Sequence, residues 1–194
     1  MAGILAAKNT RFMHLTLILG PMKSGKSLEL ISKFAPLKYT NQKFALYQSA
    51  KNVRDGQIAT RNGIEIEAKK VESLAEALDQ KFDILGVDEM HMFPESDVEV
   101  VQELLKQGTR LIVSALDTDY QGRLFLVVKR LLEIGPNEVW YRRAVCDLCR
   151  YPEAVYTQVL RNGDPITEGI PPSVPDDGTF GYRSVCRNCF VHKA

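Results

Sequence analysis

Apolar positions along the chain change period several times, and each change marks an element. Leu15-Thr-Leu-Ile-Leu19 is an apolar run that stops at Gly20-Pro21, the pattern of a buried parallel strand. Ser24 to Lys33 follows with Leu28, Leu30 and Ile31, which predicts a helix whose extent Pro36 limits. Phe44 to Tyr47 predicts a second strand. Residues 49–70 are polar and punctuated by glycine, so they predict a loop with short extended pieces near Ile64 and Ile66. Ser73-Leu-Ala-Glu76 is a capping box that opens a short helix, and Phe82 to Val87 is another apolar strand. A second capping box, Ser96-Asp-Val-Glu99, opens a helix that Gly108 closes. Arg110 to Ala115 predicts a strand, Phe125 to Ile134 a helix stopped by Gly135-Pro136, and Glu138 to Arg142 a last strand. Alternating strands and helices predict an α/β fold, a doubly wound parallel sheet over residues 14–143. From Ala144 helical periodicity fades, and Pro171, Pro172 and Pro175 crowd one loop. Residues 144–194 therefore read as a second, small domain. Residues 1–13 read as a frayed leader, with Met13 an alternative start.

Composition narrows the class. The 194 residues are 45% hydrophobic and 25% charged, ordinary globular values that oppose disorder. The formal net charge is +1, so no whole-protein field draws the chain to nucleic acid or to an anionic membrane. No apolar run is long enough for a transmembrane helix, and the first residues lack the longer apolar stretch of an export signal. A cytoplasmic protein is expected.

Gly20-Pro-Met-Lys-Ser-Gly25-Lys26-Ser27 fits the phosphate-loop pattern G-x-x-x-x-G-K-[ST], with a strand before it and a helix after it. Such a loop wraps a polyphosphate in backbone N–H groups, and the helix start adds partial positive charge. Lys26 would reach the outer phosphates and the Ser27 hydroxyl would ligate Mg²⁺. The Ile84–Val87 run ends in Asp88, placed to hold Mg²⁺, and Glu89 follows at the ligand-binding end of the strand. A carboxylate there can take a proton from an attacking hydroxyl; read alone, it is better taken as a solvated loop acid, and its place beside Asp88 and after a phosphate loop turns the reading to function. His91 is either a neighbour of the phosphates or an ordinary loop histidine. Asp88-Glu-Met-His91 also spells the D-E-x-H pattern of helicase-like motors, which need a second motor domain that this length does not hold. No Asn-Lys-x-Asp base-reading motif is present, which turns the reading from GTP to ATP.

All four cysteines lie late, as Cys146-x-x-Cys149 and Cys186-x-x-Cys189. Two such pairs suit one tetrahedral structural Zn²⁺ and leave no open position for catalysis; disulfides are the competing account. His192 lies close enough in sequence to stand in as a ligand. Zinc ribbons often bind nucleic acid, but residues 141–194 carry seven Lys or Arg against six acids, without the basic excess such binding wants. A zinc-ribbon nucleotide-binding module remains the alternative to an enzyme.

Taken together, Gly-Pro-Met-x-Ser-Gly-Lys-Ser, Asp88-Glu-x-x-x-Phe93, Ala115-Leu-Asp-x-x-Tyr120 and two Cys pairs around a loop ending Tyr182-x-Ser-Val-Cys186 resemble the zinc-containing, type II thymidine kinases. The resemblance runs from about Leu15 to the C-terminus. It implies a P-loop NTPase-like (RecA-like) sheet with a small C-terminal zinc-binding lasso. The implied activity is transfer of the ATP γ-phosphate to the 5′-hydroxyl of thymidine, and of deoxyuridine, in nucleotide salvage. Glu89 falls on the family's catalytic base. The ATP site falls on Gly20, Pro21, Met22, Lys23, Ser24, Gly25, Lys26 and Ser27 with Asp88 and His91. The nucleoside site falls on Met22, Arg54, Leu116, Tyr120, Phe125, Thr157, Gly169, Ile170 and Tyr182. A homotetramer and feedback inhibition by dTTP are also implied. Three departures stand out. His91 replaces the usual Gln, Asn52 replaces an Asp two positions before Arg54, and the segment between Thr157 and Tyr182 is long, with Gly169-Ile170 a remnant of a shorter turn.

Overall fold

The computed structural model describes residues 13–52, 57–59, 65–174 and 177–192. All of the proposed leader 1–13 except Met13, and Arg54, lie outside them. Six strands form one parallel sheet: β1 (Leu15–Leu19), β2 (Phe44–Ser49), β5 (Lys69–Val71), β6 (Ile84–Asp88), β7 (Arg110–Ala115) and β8 (Glu138–Tyr141), in the order β5-β2-β6-β7-β1-β8. Between β2 and β5, a hairpin of β3 (Gln57–Ala59) and β4 (Glu65–Glu67) stands off the sheet. Three α-helices flank it: α1 (Lys26–Phe34), α2 (Asp97–Lys106) and α3 (Leu126–Glu133).

Strand alternation decides which helix covers which face. Leu17, Leu85, Val87, Leu111 and Val113 point to the side covered by α2 and α3, with Val101, Leu104, Val128 and Leu131. Ile18, Ile84 and Ile112 point to the other side, where Leu30, Ile31 and Phe34 of α1 pack. The continuous apolar runs of the sequence are therefore strands buried on both faces. Gly86 makes the second packing possible. A Cβ there would stand 2.8 Å from the Phe34 ring.

Two local expectations change. Ser73 caps a 3₁₀ turn (Leu74–Ala77), its Oγ accepting from Ala75 N, while Glu76 pairs with Lys69 instead of closing the box. At α2 the box does not form, because Ser96 has helical dihedrals and its side chain makes no cap bond. The next residue serves the junction instead. The Asp97 carboxylate accepts from Ser73 Oγ at 2.7 Å and from Leu74 N at 2.7 Å, and Glu99 turns out to Arg130. Tertiary partners outcompete the local cap.

After Ala144 lies an antiparallel sheet that periodicity did not predict: β9 (Tyr156–Arg161), β10 (Asp164–Pro165) and β11 (Gly181–Val185), in the order β10-β9-β11. Its small core joins Ala144, Ala154, Val185 and Phe190 to Cys146 and Cys186. Among the described residues no helix is long and apolar enough to cross a membrane.

Candidate active site and cysteine cluster

The loop after β1 turns at Gly20, whose φ is +146° and where a Cβ would stand 2.3 Å from Arg142 O. No other residue fits that approach. The loop then closes on itself: Ser24 Oγ and Lys26 Nζ both donate to Pro21 O, each at 2.8 Å. Lys26 is buried at the start of α1.

Asp88 ends β6 beside the loop. Its carboxylate accepts from Ser27 Oγ at 3.1 Å and from Ser114 Oγ on the neighbouring strand β7. Burial pushes the Asp88 carboxyl up to about 6, and the adjacent Glu89 charge adds to this, against the two serine bonds and the Lys26 charge. Glu89 departs from the strand with φ +53° and ψ +42°, a left-handed conformation costly for a non-glycine residue. Its Oε2 is buried without a hydrogen-bond partner.

His91 lies 3.5 Å from that oxygen through Nδ1. This is not an ion pair. Burial first, and then the Lys26 charge, lower the imidazole to about 3, so it is neutral. Its Nδ1 accepts from Leu116 N at 3.3 Å, and its ring packs 4.9 Å from that of Phe125.

A cavity of about 310 Å³ opens over these groups. Met22, Lys23, Ser24, Gly25, Lys26 and Ser27 line it from the phosphate loop, with Glu89 and His91. Leu116, Tyr120, Phe125, Thr157 and Tyr182 line it too. Gly20, Pro21 and Asp88 do not line it. Gly169 and Ile170 do not line it, but Ile170 O accepts from the Tyr120 hydroxyl at 2.9 Å. Gln121 Nε2 donates to Thr167 O at 2.7 Å, so the long segment is tied to the loop after β7. Tyr182 OH donates to Val174 O at 3.2 Å, holding the far side of the same segment.

Sequence reasoning missed several wall residues. Thr118 and Asp119 sit between the assigned Leu116 and Tyr120, and Pro172, Ser173 and Val174 come from the long segment. Val159 also lines the cavity. It shares a face with Thr157 by the two-residue strand period, a signal available only once β9 is assigned. Ser114, the polar residue within the buried run Leu111–Ala115, carried the one visible hint of its bond to Asp88. Asn52 is buried on the cavity wall, with Nδ2 donating to Gln48 Oε1 at 3.2 Å and its carbonyl accepting from Lys70 Nζ at 2.8 Å.

The four cysteine sulfurs all lie within 4.8 Å of one another, and Cys149 Sγ is 3.7 Å from Cys186 Sγ. Four thiolates at ~2.3 Å around a tetrahedral Zn²⁺ would stand ~3.8 Å apart, so the spacing fits a metal centre. Burial raises the Cys146 thiol, yet N–H groups of Cys149, Cys186 and Leu148 outweigh it and bring it down to about 6. Bonding to Cys186, then burial and the other two thiols, pushes Cys189 up to about 12. Four such groups ionise together only around a cation. His192 is not in this cluster and stacks edge-on against Phe190.

The family model described as thymidine kinase matches residues 13–190. Among curated relatives, a thymidine kinase of Thermococcus kodakarensis is 35% identical over 89% of this chain and 91% of its own. One of Pseudothermotoga lettingae is 30% identical over 91% and 94%. One of a Roseiflexus species is 29% identical over 91% and 94%. The matched residues span the phosphate loop, the Asp88–His91 stretch and both cysteine pairs.

Proposed function

The chain belongs to the thymidine kinase family, and we propose that it transfers the γ-phosphoryl group of ATP to the 5′-hydroxyl of thymidine, with deoxyuridine a second acceptor. The single observation that carries the chemistry is Glu89. It is a carboxylate in a left-handed turn, with one buried, unpartnered oxygen, in the wall of the cavity that the phosphate loop also lines.

The acceptor hydroxyl donates its proton to Glu89 as its oxygen bonds to the γ-phosphorus and the bond to the ADP oxygen breaks. Lys26 and the loop N–H groups stabilise the charge on the phosphoryl oxygens. Ser27 Oγ and Asp88, already within hydrogen-bond distance, are the hard oxygen ligands that would hold Mg²⁺, which supplies charge neutralisation. Neutral His91 holds the start of the loop after β7 through Leu116 N. Met22, Leu116, Tyr120, Phe125, Thr157 and Tyr182 form the nucleoside wall, and Arg54, Gly169 and Ile170 are assigned to the same substrate by the family reading alone. The cysteine cluster takes structural Zn²⁺. The chain divides into a nucleotide-binding domain, 14–143, and a lasso domain, 144–194. Cytoplasmic salvage, a homotetramer and dTTP feedback go with this reading.

The test is Mg-ATP with each deoxynucleoside in turn, for wild type and Glu89→Gln. Wild type is expected to phosphorylate thymidine. The variant should bind ATP normally and lose about 10²- to 10⁴-fold in turnover. Near-normal turnover would remove Glu89 from its role. Equal phosphorylation of deoxycytidine would remove thymidine specificity.

A further inference from the structure

The phosphate loop is gripped from outside the parallel sheet. Met22 N donates to Thr157 Oγ1 at 2.9 Å, and Ser184 Oγ donates to Met22 O at 2.5 Å. Thr157 and Ser184 face each other across β9 and β11, so one rung of the C-terminal sheet holds both polar groups of a single loop peptide residue. The next loop residue is held as well. Lys23 has φ +63° and its ammonium reaches Asp147 Oδ2 at 2.6 Å. That oxygen also accepts from Ser184 N at 2.8 Å, and Asp147 N donates back to Ser184 O at 2.8 Å. Asp147 lies between Cys146 and Cys149. A single carboxylate therefore joins the cysteine knuckle, the antiparallel sheet and the phosphate loop.

Two features of Lys23 separate it from an ordinary surface ion pair. Both partners are about three-quarters withdrawn from solvent, at 30% and 22% exposure. The ammonium is also spent on Asp147, although it belongs to the loop that wraps phosphates and lines the cavity. A flexible cation free to turn inward would meet phosphate directly; this one is turned to the knuckle.

We propose that Lys23 and Asp147 form a positioning pair that latches the phosphate loop to the cysteine knuckle, so that the C-terminal segment sets the loop's affinity for nucleoside triphosphate. The inference rests on the ATP reading above. It makes Met22 and Lys23 the point where nucleoside and nucleotide binding communicate, because Thr157 both lines the cavity and holds the loop.

The experiment is a titration of the full-length protein with a fluorescent ATP analogue, alongside thymidine phosphorylation kinetics, for wild type, Lys23→Met, Asp147→Asn, their double variant and the charge swap K23D/D147K. Each single change should raise the analogue Kd and the KM for ATP by about threefold to tenfold, with the effect in KM rather than kcat. The double variant should be no worse than either single, and the charge swap should recover part of the loss. The gap between wild type and Lys23→Met should narrow in high salt, since the pair is partly exposed. Metal content per chain should stay constant in Lys23→Met, whose substitution lies outside the knuckle. An unchanged KM in Lys23→Met overturns the latch. So does a fall in kcat at constant affinity, which would make Lys23 a direct phosphate ligand. Losses that simply add in the double variant also overturn it. Wild type that fails to bind the analogue would instead overturn the ATP reading, a result distinguishable from all of these.

Discussion

The parallel sheet and the C-terminal segment face each other across the same cavity and hold their shapes by different means. The sheet is apolar on both faces. Leu17, Ile18, Leu19, Leu85, Leu111 and Val113 are almost wholly buried, and the helices on each side need only keep their stripes inward. The C-terminal segment has a core of few side chains, Ala144, Ala154, Val185 and Phe190, two of whose other members are cysteines of the cluster. The cysteine knuckle before its sheet leaves Val145, Leu148 and Tyr151 more than half exposed. A core of that size offsets little of the entropy of ordering so long a segment, and beside it stand four clustered cysteines able to hold a metal ion. The difference teaches where precision comes from at this site. The sheet places the carboxylates by packing, and the C-terminal side places its groups by a metal-sized cluster and by hydrogen bonds to loop peptides.

The largest test of that contrast is Cys186→Ser. The variant should lose its metal, melt the three-stranded sheet and lower thymidine affinity by more than about 100-fold, because metal-site binding energy is local folding energy. Far-UV circular dichroism should keep the signal of the parallel sheet, with loss confined to the C-terminal strands. A single transition that takes both regions down together would break the comparison.

The sheet side is probed by Gly86→Ala, which pushes a methyl group against the Phe34 ring. Overpacking of this kind should cost about 1–3 kcal/mol in urea unfolding. Metal content should not change. If the variant is as stable as wild type, the packing of α1 on β6 is looser than the contact implies.

A further effect is pH-dependent. His91 is held at about 3 when folded, against an ordinary value near 6.5, so between these limits the unfolded chain binds the extra proton. The stability it permits is fully present above pH 6.5 and is lost as pH falls, by up to about 1.4 kcal/mol per pH unit. Asp88 works the other way, because a raised carboxyl is relieved as pH falls through about 6. The difference between wild type and His91→Gln isolates the histidine. Melting temperatures from pH 7 to pH 4.5 should fall less in the variant, and parallel curves would remove His91 as a source of acid lability.

Most strands of the parallel sheet were legible because a strand buried on both faces is apolar at most positions, and Gly20-Pro21 and Gly135-Pro136 mark the ends of a strand and a helix. The edge strand Lys69–Val71 was hidden in a polar stretch, since only Val71 of the three is buried. The antiparallel strands β9 and β11 were hidden for a related reason: their alternation is interrupted by Thr157, Gln158 and Ser184, polar residues buried for their hydrogen bonds.

Local order alone determined the phosphate loop, the Asp88-Glu89 pair and the paired cysteines, because glycine, a strand end and a two-residue spacing each constrain neighbours in the chain. Tertiary structure decided what those groups do to one another. Ser114 reaches Asp88 only because β7 lies beside β6, and Met22 is clasped only because Thr157 and Ser184 share a rung. Asp147 meets Lys23 across 124 residues of sequence. Such contacts depend on how strands are ordered and sheets are docked, and residue spacing along the chain carries no record of that order.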